Sequence, residues 1–282
     1  MRSIVDFLGN NQQYDRVPQE DLTDCETEEQ DTLLTNMEAR TEHQQTKRYN
    51  FLYGIATGVG VAVICLVLFW CVHFRNGFSW SSDPALEFNW HPLLMTTGMI
   101  FLYAQSILVY RSARNFRKKQ LKLAHGFLHL MVFILTVIGL KAVFDSHNLK
   151  SPPIPNLYSL HSWIGLLTVI LFTLQLVLGF VSFLYPGLPK TTRAAIMPIH
   201  VTFGTSIFIM ATVAAISGLL EKAIFTLNNY AELPSEGIAI NLIGIFTIGF
   251  ALLVLYLVND ADYKRHNLPE DGINLVDETH SS

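Results

Sequence analysis

The sequence predicts an all-α membrane protein of six transmembrane helices, with spans 2–5 as a central four-helix bundle. Three observations carry this. Half of the 282 residues are hydrophobic and only 15% are charged, well under the ~25% charged residues usual in soluble domains. Mean hydropathy is positive, +0.33. The apolar residues are gathered into six runs, near 51–73, 91–111, 123–144, 160–184, 196–220 and 237–259. Each run supplies the ~20 residues that cross ~30 Å of hydrocarbon as a helix. Within lipid every backbone amide needs an internal partner, and a helix provides it.

The chain opens on a polar tail, residues 1–46, with eleven acids against three bases. Its charge of −8, beside few apolar residues, predicts disorder. No basic start followed by an apolar stretch marks a secretory signal, and no Met-Gly start marks a myristoylation site. The membrane domain runs over 47–260, and a second polar tail over 261–282 closes the chain. Cys25, Cys65 and Cys71 have no spacing of a disulfide framework, a zinc site or a covalent haem attachment. A net charge of −4 leaves no basic surplus for nucleic acid.

Lys and Arg set the orientation. The connection after span 2 holds Arg111, Arg114, Arg117, Lys118, Lys119 and Lys122, and the one after span 4 adds Lys190 and Arg193. Lys47 and Arg48 precede span 1; Lys264 and Arg265 follow span 6. The alternate connections carry only Arg75, Lys150 and Lys222. The positive-inside rule then places both termini in the cytosol, as an even number of spans requires.

Under that topology four histidines fall into two layers. His91 and His161 begin spans 2 and 4, both near the outer face. His125 and His200 begin spans 3 and 5, both near the cytosolic face. Ionisable residues inside spans are costly and usually mark a site. Facing imidazoles in a helical bundle make a natural axial pair for haem iron, here non-covalently held haem b at two depths. His129 lies four residues after His125, on the same helical face, and is the alternative ligand. His125 matches His200 better in depth.

Five stretches carry a family resemblance: Phe88-Asn89-Trp90-His91-Pro92, Leu108-Val109-Tyr110-Arg111, Ala124-His125-Gly126, Asn156-Leu157-Tyr158-Ser159-Leu160-His161-Ser162-Trp163 and Met197-Pro198-Ile199-His200. Over residues 73–225 the chain resembles the cytochrome b-561 family, the six-span ascorbate-dependent reductases with two haems. The resemblance implies transmembrane electron transfer from cytosolic ascorbate through two bis-histidine b haems to ferric iron or monodehydroascorbate. His91 and His161 would hold the outer haem, and His125 and His200 the cytosolic one. It also implies a homodimer.

Around the cytosolic layer Arg111, Lys118, Lys122 and Arg193 supply the positive charge that an ascorbate monoanion needs, and the resemblance places substrate-binding bases there. On the outer side His147, Asn148, Tyr158, Ser159 and Glu221 are candidates for the substrate or its metal. Glu221 offers the oxygen that ferric iron prefers; pairing with Lys222 is the competing role. In the tail, Glu29-Gln30-Asp31-Thr32-Leu33-Leu34 fits an acidic dileucine sorting signal and Tyr14-Asp15-Arg16-Val17 a tyrosine-based one. Both would be read by clathrin adaptors, which favours a late endosome or lysosome over the plasma membrane. Two other functions compete: a divalent-metal transporter, whose ligands belong near the midplane, and a diheme subunit that oxidises quinol.

Overall fold

The computed structural model describes residues 19–265, with side chains from residue 30 onward. The Tyr14–Val17 pattern, the side chains of Cys25 and Glu29, and the tail beyond Arg265 lie outside the described residues. The chain divides into two compact units, one up to Lys47 and one from Arg48.

Helix α1 runs Gln19–Phe69 and ends in a π-helical turn, Trp70–Phe74. Span 2 is built in pieces: α2 (Pro84–Glu87), α3 (Trp90–Met95), a π-helical stretch Thr96–Leu102, and α4 (Tyr103–Ser112). Four long helices follow: α5 (Lys118–Asn148), α6 (Leu160–Phe183), α7 (Lys190–Thr226) and α8 (Ser235–Asn259). Among the described residues six segments are long and apolar enough to cross a membrane, beginning with Gln30–Phe74 and Pro84–Ser112. The six-span, all-helical class read from the sequence is the class observed.

Three boundaries differ from the sequence reading. The helix reaches back to Gln19, through a segment whose composition reads as disordered. Its Gln, Glu, Leu, Met, Ala and Lys residues are good helix formers, and the side chains of 30–44 are exposed. α5 and α7 begin five or six residues before the apolar runs, at Lys118 and Lys190. His125 and His200 therefore lie seven and ten residues inside their helices. Long basic side chains explain the extension, since their stems pack on apolar surface while their charges reach water.

Local chemistry fixes where the site-bearing helices start. Asp83 caps α2, accepting from the amides of Ala85 and Leu86 at 3.0 and 3.3 Å, with Pro84 in the first turn. Buried Asn89 donates to the carbonyls of Arg75 and Gly77, and the Trp90 indole donates to that of Ser79 at 3.0 Å. These bonds pin the connection after α1 to the residue pair just before His91. Ser159 caps α6 by accepting from the amide of Ser162 at 3.2 Å, which puts His161 in the first turn.

The main core draws on all six spans, with spans 2, 5 and 6 supplying most of its buried side chains. Tyr103 stacks on Phe208 and packs on Phe172, at centroid distances of 5.8 and 5.6 Å. Its hydroxyl donates to the carbonyl of Gly204 at 2.8 Å. Lipid tails are as apolar as these rings, so such packing and interhelical hydrogen bonds hold the bundle together. Large side chains such as Leu160, Ile245 and Leu252 point outward and are exposed. An apolar rim of this kind belongs in hydrocarbon.

Candidate functional site

The four histidines come together as the depth argument requires. The rings of His91 and His161 are 6.2 Å apart between centroids, and those of His125 and His200 are also 6.2 Å apart. An imidazole nitrogen binds a transition metal at about 2.0 Å and lies about 1.1 Å from its ring centre, so trans ligands have centres about 6 Å apart. Both pairs stand at that spacing.

Each imidazole is also turned by its other nitrogen. Nδ1 of His91 meets the carbonyl of Gly139 at 3.1 Å, and Nδ1 of His161 that of Ala214 at 2.8 Å. Nδ1 of His125 meets the carbonyl of Ser106 at 2.9 Å. Nδ1 of His200 lies 3.0 Å from the side-chain amide of Gln175. A ring that gives Nδ1–H to a carbonyl keeps Nε2 unprotonated and aimed, the arrangement of a metal ligand with its outer partner.

Two glycines make room for these rings. A Cβ on Gly218 would sit 2.6 Å from Cε1 of His161, and one on Gly179 would sit 3.0 Å from Cε1 of His200. His161 and His200 therefore approach the backbone of the neighbouring helix closely. His129 is buried one turn from His125. It packs edge-on against His125 and Tyr103, at 4.6 and 4.8 Å, and its Nδ1 has no hydrogen-bond partner among the described residues.

A cavity of about 580 Å³ opens around the first pair. Its walls include both His91 and His161, the apolar side chains of Met95 and Leu166, and the small residues Gly165 and Ala214. Both imidazoles thus face one space that is largely apolar, which suits a flat macrocycle held between them.

Of the five residues proposed for the outer substrate, His147, Tyr158, Ser159 and Glu221 line this cavity. Asn148 does not, but it belongs to the same network. Nδ1 of His147 meets Oδ1 of Asn156 at 3.0 Å, and the Asn156 amide donates to Oδ1 of Asn148 at 2.8 Å. Asn156 had only its place in a motif to mark it.

The bases near the second pair are less uniform. Lys122 donates to the carbonyl of Phe183, at the end of α6, at 3.3 Å. Arg193 is half-buried and Lys118 exposed. Arg111 turns away, donating to the carbonyls of Asp260 and, at 2.6 Å, Val258. It satisfies the orphan carbonyls where α8 ends. Replacing Arg111 with Gln is expected to cost about 2–3 kcal/mol through lost charge-assisted hydrogen bonds. The thermal midpoint of the detergent-solubilised protein checks this, and an unchanged midpoint would count against the clasp.

Comparison with known proteins follows the same lines. Residues 90–226, which hold all four histidines, match the family described as eukaryotic cytochrome b561. A putative transmembrane ascorbate-dependent reductase of Caenorhabditis elegans is 39% identical over 250 residues, 85% of this chain and 94% of that protein. The chain belongs to the cytochrome b561 family. Other relatives in the family are a plasma membrane ascorbate-dependent reductase of Xenopus laevis and a lysosomal membrane ascorbate-dependent ferrireductase of Bos taurus. Each is 43% identical, over 79% and 76% of this chain and 79% and 81% of their own lengths. As a cytochrome b561 family member the chain is an oxidoreductase of the membrane.

Proposed function

We propose that the protein carries electrons across its membrane from cytosolic ascorbate to ferric iron or monodehydroascorbate on the far side, with His91 and His161 holding one haem b and His125 and His200 a second. The observation that carries this is the pair of imidazole couples, each at the spacing two ligands of one iron would take, with Nδ1 of His91, His125 and His161 on main-chain carbonyls. Bound haem supplies one-electron redox chemistry. The chain's residues orient it, exclude water and place charge at the two faces.

His125 is the ligand partner of His200 in this reading, because their rings face each other and its Nδ1 is bonded to a carbonyl. His129 packs behind it among Tyr103 and Phe172. On the donor side Lys118, Lys122 and Arg193 surround the end of the bundle that holds His125 and His200. An ascorbate monoanion would meet positive charge there and lose its proton to solvent. Arg111 contributes charge to that end from its place on the α8 carbonyls. On the acceptor side the Asn156 bond holds His147 so that its Nε2 faces substrate. Tyr158, Ser159 and Asn148 shape the same mouth.

Residue placement disfavours the transporter reading. Among the described residues no group of three or more His, Cys, Asp or Glu is gathered as a metal site. For the membrane itself, the lysosomal and plasma membrane relatives bracket the choice. Leu33 and Leu34 are exposed on their helix, open to an adaptor. Both termini are assigned to the cytosol on the distribution of Lys and Arg.

The decisive experiment is a visible spectrum of the purified protein titrated with ascorbate and then with a ferric chelate. A two-haem b-type spectrum, reduced by ascorbate and reoxidised by the chelate, is expected. A colourless protein made with ample haem supply would end the reading. The double variant Lys122→Gln, Arg193→Gln is expected to slow reduction by ascorbate on the order of tenfold to a hundredfold, as for the loss of one charge-assisted contact. Reduction by dithionite should keep its rate. Equal slowing with both reductants would remove these bases from the donor site.

A further inference from the structure

Glu87 is a fully buried carboxylate that the proposed electron path does not use. It closes α2, and neither of its oxygens has a hydrogen-bond partner among the described residues. Burying a charge is costly unless a counter-charge meets it. The cation paired with it is Lys141 of α5, whose ammonium lies 3.7 Å from Oε1. Lys141 also bonds Asp145, one turn further along α5, and lies 5.8 Å from the centre of the Trp80 ring. Trp80 in turn stacks on Trp90, the residue before His91, at 5.3 Å. Both members of the pair stand close in the chain to the groups that set the first imidazole. Glu87 precedes His91 by four residues. Phe88 and Asn89 between them keep helical dihedral angles, so Glu87 and His91 share a helical face. Lys141 follows Gly139 by two residues, and the Gly139 carbonyl is the one that meets Nδ1 of His91 at 3.1 Å. Neither Glu87 nor Lys141 lines the cavity of His91 and His161.

We propose that Glu87 sets the redox potential of the His91–His161 centre: its charge, fixed by Lys141 one helical turn from the imidazole, favours ferric over ferrous iron in the haem held there. This rests on the function proposed above and concerns the driving force of its last step. The two charges of the pair do not cancel inside the protein. The Lys141 side chain is 56% exposed and that of Glu87 0%. Water screens the ammonium, whereas the carboxylate acts through a medium of low dielectric. Asp145 holds Lys141 from the wet side and is screened with it, its side chain being 31% exposed. The net field that the cluster sends inward is therefore negative. Reduction adds one electron to the centre, and a fixed negative charge about 6 Å of helical rise away opposes that. Glu87 thereby makes the reduced centre readier to pass its electron to the acceptor.

The test is a redox titration of the purified, haem-loaded protein, followed by visible absorption and by electron paramagnetic resonance of the ferric centres. Glu87→Gln should raise the reduced-to-oxidised ratio of the His91–His161 centre about tenfold at a fixed potential, ~59 mV for one electron, as for the loss of one unscreened charge. Lys141→Met should move the same ratio the opposite way, by roughly threefold because the ammonium is screened. Lys141→Arg should restore it. Asp145→Asn should shift it less than Glu87→Gln does. The His125–His200 centre is the internal reference and should keep its potential in every variant. A pair that only braces α2 on α5 would give shifts of one sign in both Glu87→Gln and Lys141→Met, with haem lost from both. That result overturns the proposal, as do an unmoved ratio in Glu87→Gln and equal shifts at the two centres. Should Glu87→Gln fail to fold, the sign of the Lys141→Met shift decides. A protein that binds no haem, or that ascorbate does not reduce, would instead overturn the function on which the proposal rests.

Discussion

On the two-haem reading proposed above, replacing His200 with alanine is expected to halve the haem content, from two per chain to one, with the surviving absorption that of the His91–His161 centre. Its ring lies 6.2 Å from that of His125, and the other imidazole against His125, that of His129, stands one turn away on His125's own helix. Alanine removes one of the two imidazoles that would hold that haem. His125→Ala should give the same spectrum, because each residue is useless without the other. His129→Ala should keep both haems, since that ring lies edge-on behind His125. Extracted haem per protein, with circular dichroism to confirm retained helix, measures all three. Two haems in His200→Ala, or one in His129→Ala, would reassign the ligands.

The second large effect is expected from a single methyl group. In Gly218→Ala the added Cβ would lie 2.6 Å from Cε1 and 2.8 Å from Nδ1 of His161. The ring cannot retreat without giving up its 2.8 Å contact with the carbonyl of Ala214. Loss of the first centre is expected, a spectrum close to that of His161→Ala. Gly179→Ala places its Cβ at 3.0 Å from His200. There a shift of a few tenths of an ångström suffices, so the second centre should persist with a displaced midpoint potential. A redox titration of the two variants separates the cases. Equal behaviour in both would show that clearance at these glycines does not govern ligand placement.

Much of this was legible in the sequence because its cause is one-dimensional. A run of twenty apolar residues dictates a span, and alternating charge dictates direction. Depth then follows by counting, which is how His91 met His161 and His125 met His200. What escaped depends on azimuth and on neighbours. Gly179 and Gly218 could be flagged as places of close approach, but only the folded helices show that the approaching group is an imidazole. Arg111 has the position of a substrate-binding base, yet it spends its guanidinium on the end of α8. Arg75, Lys150 and Lys222, which line the cavity of His91 and His161 from three separate connections, were visible only as exceptions to a charge rule, since such convergence leaves no local trace. The helical starts at Lys118 and Lys190 were missed because hydropathy marks where lipid begins, and helices continue past that level.

The groups that orient the four rings have a consequence for how such a protein diversifies. For His91, His125 and His161 the group at Nδ1 is a main-chain carbonyl, and no codon encodes a carbonyl away. His91 and His161 therefore inherit their tilt and basicity from helix placement. Nδ1 of His125 also lies 3.1 Å from the Ser106 hydroxyl, and His200 leans on the side chain of Gln175. Among these groups, selection for a different driving force has two inexpensive handles, Ser106 and Gln175, and both lie in the layer that ascorbate would meet first in the proposed path.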